Sequence, residues 1–302
     1  MAAQDLRPAT EVAVAPFADR LAEAVDRKRS QLVVGLDPVV ELLPVEFRGE
    51  GAAACARFCR GIVDAVAPYA VAVKPQSAFF EALGSAGIGA LEDVCAYARA
   101  AGLLVILDVK RGDIGSTARA YAAAYVEPRG SQPPVADAVT LNPYLGRESM
   151  EPFLAAARRG GAGLFCIVKT SNAGGDVQDV VLSDGSTLWQ HVAGLVRAWG
   201  EDLVGERGLS SVGAVVGATY PREVAEMRRL LPQSVLLLPG VGAQGGSPAD
   251  LAPAFTSGPA GALVSASRSV IYAYREAGGD WRAAAGAEAA RLAGEVWAVS
   301  GW

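Results

Sequence analysis

Eight short apolar runs, dense in Val, Ile and Leu, recur along the chain and constrain its fold more than any other feature. They are Leu32–Leu36, Val71–Val73, Leu103–Leu107, Ala136–Leu141, Gly163–Val168, Val212–Val216, Val235–Leu238 and Gly261–Val264. Each is too brief for a helix, and continuous apolar runs of this length read as strands buried on both faces of a parallel sheet. Ala-rich segments with helical apolar spacing lie between them and after the last, among them Ala52–Val66, Ala90–Ala100, Thr117–Val126, Arg222–Leu230 and Ala283–Val299. Successive runs begin 23 to 49 residues apart, room enough for a crossover helix each time. Eight such units with no Pro/Ser-rich linker predict an α/β chain of one domain, residues 1–302, closed as a single (β/α)8 TIM barrel of parallel strands. A doubly wound open sheet is the alternative fold. It fits less well, because Gly35-Leu36-Asp37-Pro38 stands after the first run where a dinucleotide-binding sheet carries G-x-G-x-x-G. Residues 1–30 are expected to form a helical segment packing on the barrel. The longest interval holds a polar stretch, 170–187, with Gly174, Gly175 and Gly185, which reads either as a surface insertion or as a lid over an active site.

Composition removes whole classes of function. The net charge is −5 and the basic residues are scattered, which argues against both a nucleic-acid partner and an anionic membrane surface. No run of eighteen uncharged apolar residues occurs, and the first thirty residues lack the apolar core of a signal peptide, so a cytoplasmic protein is expected. Cys55, Cys59, Cys95 and Cys166 lie among Ala, Val and Phe and form no C-x-x-C pair, so they read as small buried hydrophobes in a reducing compartment. His191 is the only histidine. That rules against Ser-His-Asp, Cys-His and H-E-x-x-H chemistry and against a structural zinc site. The chain shows neither a metal cluster nor a recognisable cofactor motif, and its chemistry must come from carboxylates, lysines or a cofactor.

The charges collect at one end of the predicted strands. Asp37 follows the first run, Lys74 the second, Asp108 and Lys110 the third, Lys169 the fifth and Arg268 the eighth, whereas Asp137 stands at the start of the fourth. The C-terminal mouth of a barrel is where its active site is built. The densest stretch is Asp108-Val109-Lys110-Arg111-Gly112-Asp113-Ile114-Gly115-Ser116-Thr117. If strand geometry persists that far, Asp108 and Lys110 share a face and can touch. Gly112 then frees the backbone, and Asp113 serves either the site or the N-cap of the next helix. Carboxylates beside a lysine favour its ammonium form, which suits proton donation better than Schiff-base chemistry. After the seventh run, Pro239-Gly240-Val241-Gly242-Ala243-Gln244-Gly245-Gly246 offers backbone N–H groups to an anion, and Arg268 can grip a phosphate bidentately.

These residues resemble the orotidine 5′-phosphate decarboxylase family. The D-x-K-x-x-D-I-x-x-T run from Asp108 to Thr117 is similar to the family signature without a mismatch. Gly35-Leu36-Asp37-Pro38, Val73-Lys74-Pro75 and Pro239-Gly240-Val241-Gly242 with Arg268 resemble its first-strand aspartate, second-strand lysine and phosphate site, and Lys169-Thr170-Ser171-Asn172 looks like its long-chain bacterial branch. The resemblance implies cofactor-independent conversion of orotidine 5′-phosphate to UMP and CO2 in pyrimidine biosynthesis. Lys74, Asp108 and Lys110 would form a charged array, with Lys110 donating the proton to C6. The resemblance also implies a homodimer whose active sites are shared, Asp113 and Thr117 completing the array from the partner subunit. Asp37 would hold the ribose, Ser171 or Thr170 the pyrimidine, and Gly242, Gln244 and Arg268 the phosphate. Many family members add a tyrosine to the phosphate site, but residues 240–250 contain none.

Two other functions fit parts of the pattern. A Mg-dependent sugar-phosphate synthase or keto-acid decarboxylase uses the same barrel, but Ile106 and Leu107 stand where the metal-binding relatives place an acid just before Asp108. A non-catalytic sugar-phosphate-binding protein would keep the phosphate loops without needing the charged run.

Overall fold

Burial on both faces makes the eight apolar runs eight strands. The computed structural model describes residues 14–302 except 48, 173, 219–220 and 242–245. Its strands are β1 (Leu32–Leu36), β2 (Ala72–Pro75), β3 (Leu104–Arg111), β4 (Ala138–Leu141), β5 (Gly163–Lys169), β6 (Ser210–Val216), β7 (Ser234–Pro239) and β8 (Ala262–Ala266). Each pairs in parallel with the next, and β8 returns to β1 to close the barrel. Val33 of β1 stands opposite both Ala72 of β2 and Ser265 of β8. The helices are α1 (Phe17–Lys28), α2 (Gly51–Val66), α3 (Ser77–Glu81), α4 (Gly84–Ala100), α5 (Gly115–Tyr125), α6 (Arg147–Gly160), α7 (Leu188–Gly200), α8 (Pro221–Leu230), α9 (Arg268–Ile271), α10 (Tyr274–Ala277) and α11 (Trp281–Ser300). None among the described residues is long and apolar enough to cross a membrane.

Strand alternation sorts the side chains into two cores. Leu32, Val34, Val73, Val105, Val139 and Leu164 pack outward against the helices. Val33, Ala72, Ile106, Ala138, Phe165, Val235, Leu237 and Leu263 join the inner cluster, and α1 contributes Phe17, Ala18 and Leu21 to the same cluster. Phe17 meets Phe165 edge-on at 5.8 Å, so α1 plugs the N-terminal end of the barrel. Asp137 belongs to this closure. It binds Arg20 of α1 at 2.5 Å and accepts the Val105 N–H at 2.9 Å, which accounts for a charge at the bottom of β4.

The barrel strands extend beyond the apolar runs that announce them. Lys74, Asp108, Lys110 and Lys169 lie inside β2, β3 and β5 instead of after them, because hydrophobicity stops at the first charge while backbone pairing continues. Two residues beyond Ala72, Ile106 and Ala138, on the same face of their strands, stand Lys74, Asp108 and Thr140. The interior therefore turns from apolar to charged toward the C-terminal mouth.

Candidate active site

Asp108 is the centre of the mouth. Lys74 Nζ donates to its Oδ2 at 2.8 Å, and Lys110 Nζ donates to its Oδ1 at 2.5 Å. The side chains of Lys74 and Asp108 are only 10% and 8% exposed, whereas that of Lys110 is 45% exposed and reaches the open side. Burial pushes the Asp108 carboxyl up, but Lys74 and Lys110 outweigh it and bring it down to about 2. Burial likewise pushes the Lys74 ammonium down, and Asp108 with Asp37 more than reverses it. Asp108 is therefore ionised and Lys74 protonated at neutral pH, and the Lys110 side chain lies on the more exposed side of the pair.

The end of β3 departs from regular strand geometry. Its register against β4 runs Ile106 to Ala138 and Leu107 to Val139, then jumps to Arg111 opposite Leu141. Asp108, Val109 and Lys110 thus oppose the single residue Thr140. Thr140 Oγ1 accepts the N–H groups of Val109 and Lys110 at 3.1 and 3.0 Å and donates to Asp108 Oδ1 at 2.8 Å. Lys110 has φ 46°, a left-handed conformation. A side-chain-bearing residue held in such a conformation costs on the order of 1 to 3 kcal/mol and persists where its surroundings fix it. Asp108 and Lys110 meet as expected, but across a bulge instead of along a continuous strand. Arg111 turns away to Glu81 and to the Tyr125 hydroxyl, with its guanidinium over the Tyr121 ring. Gly112 is required by close approach, since a Cβ there would sit 2.8 Å from the Asn142 carbonyl oxygen.

Asp37 follows β1 at the rim, and its Oδ1 is buried without a hydrogen-bond partner. A buried carboxylate oxygen in that state calls for a donor. Tyr272, just beyond α9, grips the backbone on either side of Pro38. Its hydroxyl donates to the Asp37 carbonyl at 3.1 Å and accepts the Val39 N–H at 2.8 Å, while its ring stacks on Phe58 at 6.0 Å. The Asp37 loop is therefore tied to the segment that begins at Arg268.

The 170–187 stretch is folded, with a 3-10 turn at Gly175–Asp179 and a bridge between Val181 and Thr187. Lys169 Nζ donates to both carboxylate oxygens of Asp179 at 2.6 and 2.7 Å. The Thr170 N–H donates to Gln178 Oε1, and Gln178 Nε2 donates back to Thr170 Oγ1, each at 2.8 Å. The Thr170 hydroxyl also donates to Asn172 Oδ1 at 2.6 Å. Ser171 lies against the end of β6, where a Cβ on Gly217 would come within 2.9 Å of the Ser171 Cβ.

Asp113, Thr117 and Arg268 stand apart from the array. Asp113 Oδ1 accepts the Ile114 N–H at 2.8 Å, and no hydrogen bond joins Asp113 or Thr117 to Lys74, Asp108 or Lys110 of the same chain. Asp113 does not cap α5, whose N-cap position is taken by Ile114 without a side-chain bond. Arg268 opens α9 and is exposed, lining a groove with Arg275 and Arg291 of the neighbouring helices. Gly242 and Gln244 lie outside the described residues; on either side of them, the Gly246 N–H donates to the Gly240 carbonyl at 3.2 Å.

The sequence profile of the orotidine 5′-phosphate decarboxylase / HUMPS family matches residues 30–280. The chain belongs to this family. It is 47% identical over 270 residues to the orotidine 5′-phosphate decarboxylase of Rhodopirellula baltica, covering 86% of this chain and 89% of that one. With the enzyme of the same name from Deinococcus radiodurans it shares 46% over 258 residues, 85% of this chain and 89% of that one. The structure of Leishmania donovani OMP decarboxylase superposes with a TM-score of 0.74 at 33% identity, covering 94% of this chain and 98% of that one. At the barrel mouth, two residues escaped the sequence reading. Thr140 looks like an ordinary β-former, and Tyr272 like a core aromatic. Only the strand register and the loop contacts give them away.

Proposed function

We propose that this protein decarboxylates orotidine 5′-phosphate to UMP and CO2 without a cofactor, in pyrimidine biosynthesis. The observation that carries the reading is the Lys74–Asp108–Lys110 array at the barrel mouth. Loss of CO2 from C6 leaves its electron pair on a vinyl carbon with no adjacent sink, so fixed charge must stabilise it. The Lys110 ammonium, the exposed member of the array, faces the developing carbanion and transfers its proton to C6. The amine left behind is reprotonated from water. Asp108 lies near the departing carboxylate and sheds an unfavourable contact as CO2 leaves. Two like charges about 4 Å apart at an effective dielectric near 20 repel by roughly 4 kcal/mol, a fraction of the ~8 to 23 kcal/mol that enzymes supply. Stabilisation of the transition state by Lys110 and Lys74 carries the larger share.

The other roles belong to the same proposal. The unpartnered Asp37 oxygen accepts from a ribose hydroxyl. Ser171 or Thr170, which follow Lys169 at the end of β5, serves the pyrimidine. Gly242, Gln244 and Arg268 hold the phosphate, whose binding energy drives closure of the 170–187 loop as a lid. Asp113 and Thr117, which leave the array of their own chain, complete the partner subunit's site in a cytoplasmic homodimer, each chain a single barrel domain. The test is the ultraviolet loss of orotidine 5′-phosphate with and without EDTA. Equal rates are expected. Activity that fails in EDTA and returns with Mg²⁺ would overturn the reading in favour of a metal-dependent sugar-phosphate enzyme.

A further inference from the structure

We infer that Thr140 is a positioning residue that sets the proton donor, holding Lys110 and Asp108 in their catalytic relationship through one hydroxyl. The inference rests on the decarboxylase assignment and adds to it a residue outside the charged motif. Where β3 breaks register, three residues face one, and the ordinary backbone ladder cannot serve Val109 and Lys110. Thr140 Oγ1 takes over both N–H groups, at 3.1 and 3.0 Å, and gives its own proton to Asp108 Oδ1 at 2.8 Å. The Lys110 ammonium sits on that same Oδ1. One buried oxygen thereby fixes the left-handed backbone from which Lys110 departs and the carboxylate on which its side chain rests. Thr140 is 2% exposed and two residues beyond Ala138 on the inward face, a position that lower in this barrel is filled by apolar groups. A valine would fill the same volume. What it would lose is the hydroxyl, which here makes three hydrogen bonds at once.

The test compares Thr140→Val and Thr140→Ser for kcat, for UMP affinity and by crystallography. Thr140→Val is expected to lower kcat about 10- to 100-fold, the range of a lost hydrogen bond to a charged group, with UMP affinity within about threefold of wild type. Thr140→Ser keeps the hydroxyl and is expected to restore kcat to within about threefold of wild type. A Thr140→Val enzyme with unchanged kcat would overturn the inference. So would a serine variant as impaired as the valine, or a parallel loss of UMP affinity, since both describe packing instead of positioning. Should Thr140→Val fail to fold, Thr140→Cys, with a weak donor and poor acceptor, takes its place. The crystal structure of the variant reads positioning without turnover: Lys110 leaving the left-handed region supports the inference, and an unaltered Lys110 and Asp108 overturns it. Wild-type protein that does not consume orotidine 5′-phosphate would instead sink the decarboxylase assignment, leaving the crystallographic comparison to decide the role of Thr140.

Discussion

Lys169, buried at the end of β5, is held by both carboxylate oxygens of Asp179 ten residues further on. The bond ties the 3-10 turn of the 170–187 stretch back to the barrel beside Ser171. In Asp179→Asn the anchor is weakened while the barrel is untouched. Amide hydrogen exchange across 170–187 is expected to accelerate, and KM for orotidine 5′-phosphate to rise several-fold more than kcat falls. Unchanged exchange in that segment would show that the Lys169–Asp179 pair is not what holds it.

Asp108 links stability to pH. Its carboxyl is brought down to about 2 by Lys74 and Lys110 against the upward push of burial, whereas an unfolded aspartate titrates near ~3.9. The folded state binds that proton more weakly, so the contribution is complete above about pH 4 and lost as the pH falls toward about 2. Lys74 is raised, burial opposing and Asp108 and Asp37 prevailing, so its contribution is present below the ordinary ~10.4 and lost only as the pH climbs past it. Thermal unfolding is expected to lose stability more steeply below about pH 4 in the wild type than in Asp108→Asn. Parallel profiles would break the linkage.

On the proposed mechanism, Lys110→Ala deletes both the counter-charge and the proton donor. Turnover is expected to fall by several orders of magnitude with the circular dichroism spectrum unchanged, because the side chain is nearly half exposed and contributes little to the core. Retention of more than about a tenth of wild-type kcat, a loss under ~1.4 kcal/mol, would mean that another group delivers the proton.

Much of this was legible in the sequence, for identifiable reasons. Strands buried on both faces must be apolar throughout, so the eight runs announced the barrel. Charges that interrupt such runs had to sit near a mouth, which exposed Lys74, Asp108 and Lys110. What stayed hidden depends on register and on contacts between distant segments. The bulge that gives Lys110 its φ of 46° leaves no mark in residue types, and Thr140 is as ordinary in a strand as Val139 beside it. Gly112 was read as a source of backbone freedom, yet the neighbouring Asn142 carbonyl is what requires it. The Tyr272 clamp on Asp37 joins residues more than two hundred positions apart and follows only from barrel closure.

Arg268 stands exposed at the first position of α9, in the segment that ends on the Tyr272 clamp. Arg268→Ala is expected to weaken UMP binding and turnover of the phosphorylated substrate, and added guanidinium to restore part of both. A variant that binds UMP as tightly as wild type would make Arg268 a solvated rim charge and move the phosphate elsewhere.

Asp113 neither caps α5 nor reaches the array of its own chain, and Ile114 beside it is 51% exposed. An apolar side chain and a carboxylate presented outward next to the mouth suit a second copy, in which Asp113 would serve the opposite array. Lys74→Ala and Asp113→Ala then damage different halves of each composite site. Mixing the two inactive homodimers forms heterodimers in which one site carries both lesions and the other carries neither. At statistical exchange half the dimers are mixed and half their sites intact, so about a quarter of wild-type activity should return. Were both residues to serve the same chain's site, every site in the mixture would keep a lesion and no activity would appear. The measurement is turnover after co-refolding, with native mass spectrometry establishing that heterodimers have formed. Confirmed heterodimers without recovered turnover would assign Asp113 to its own subunit.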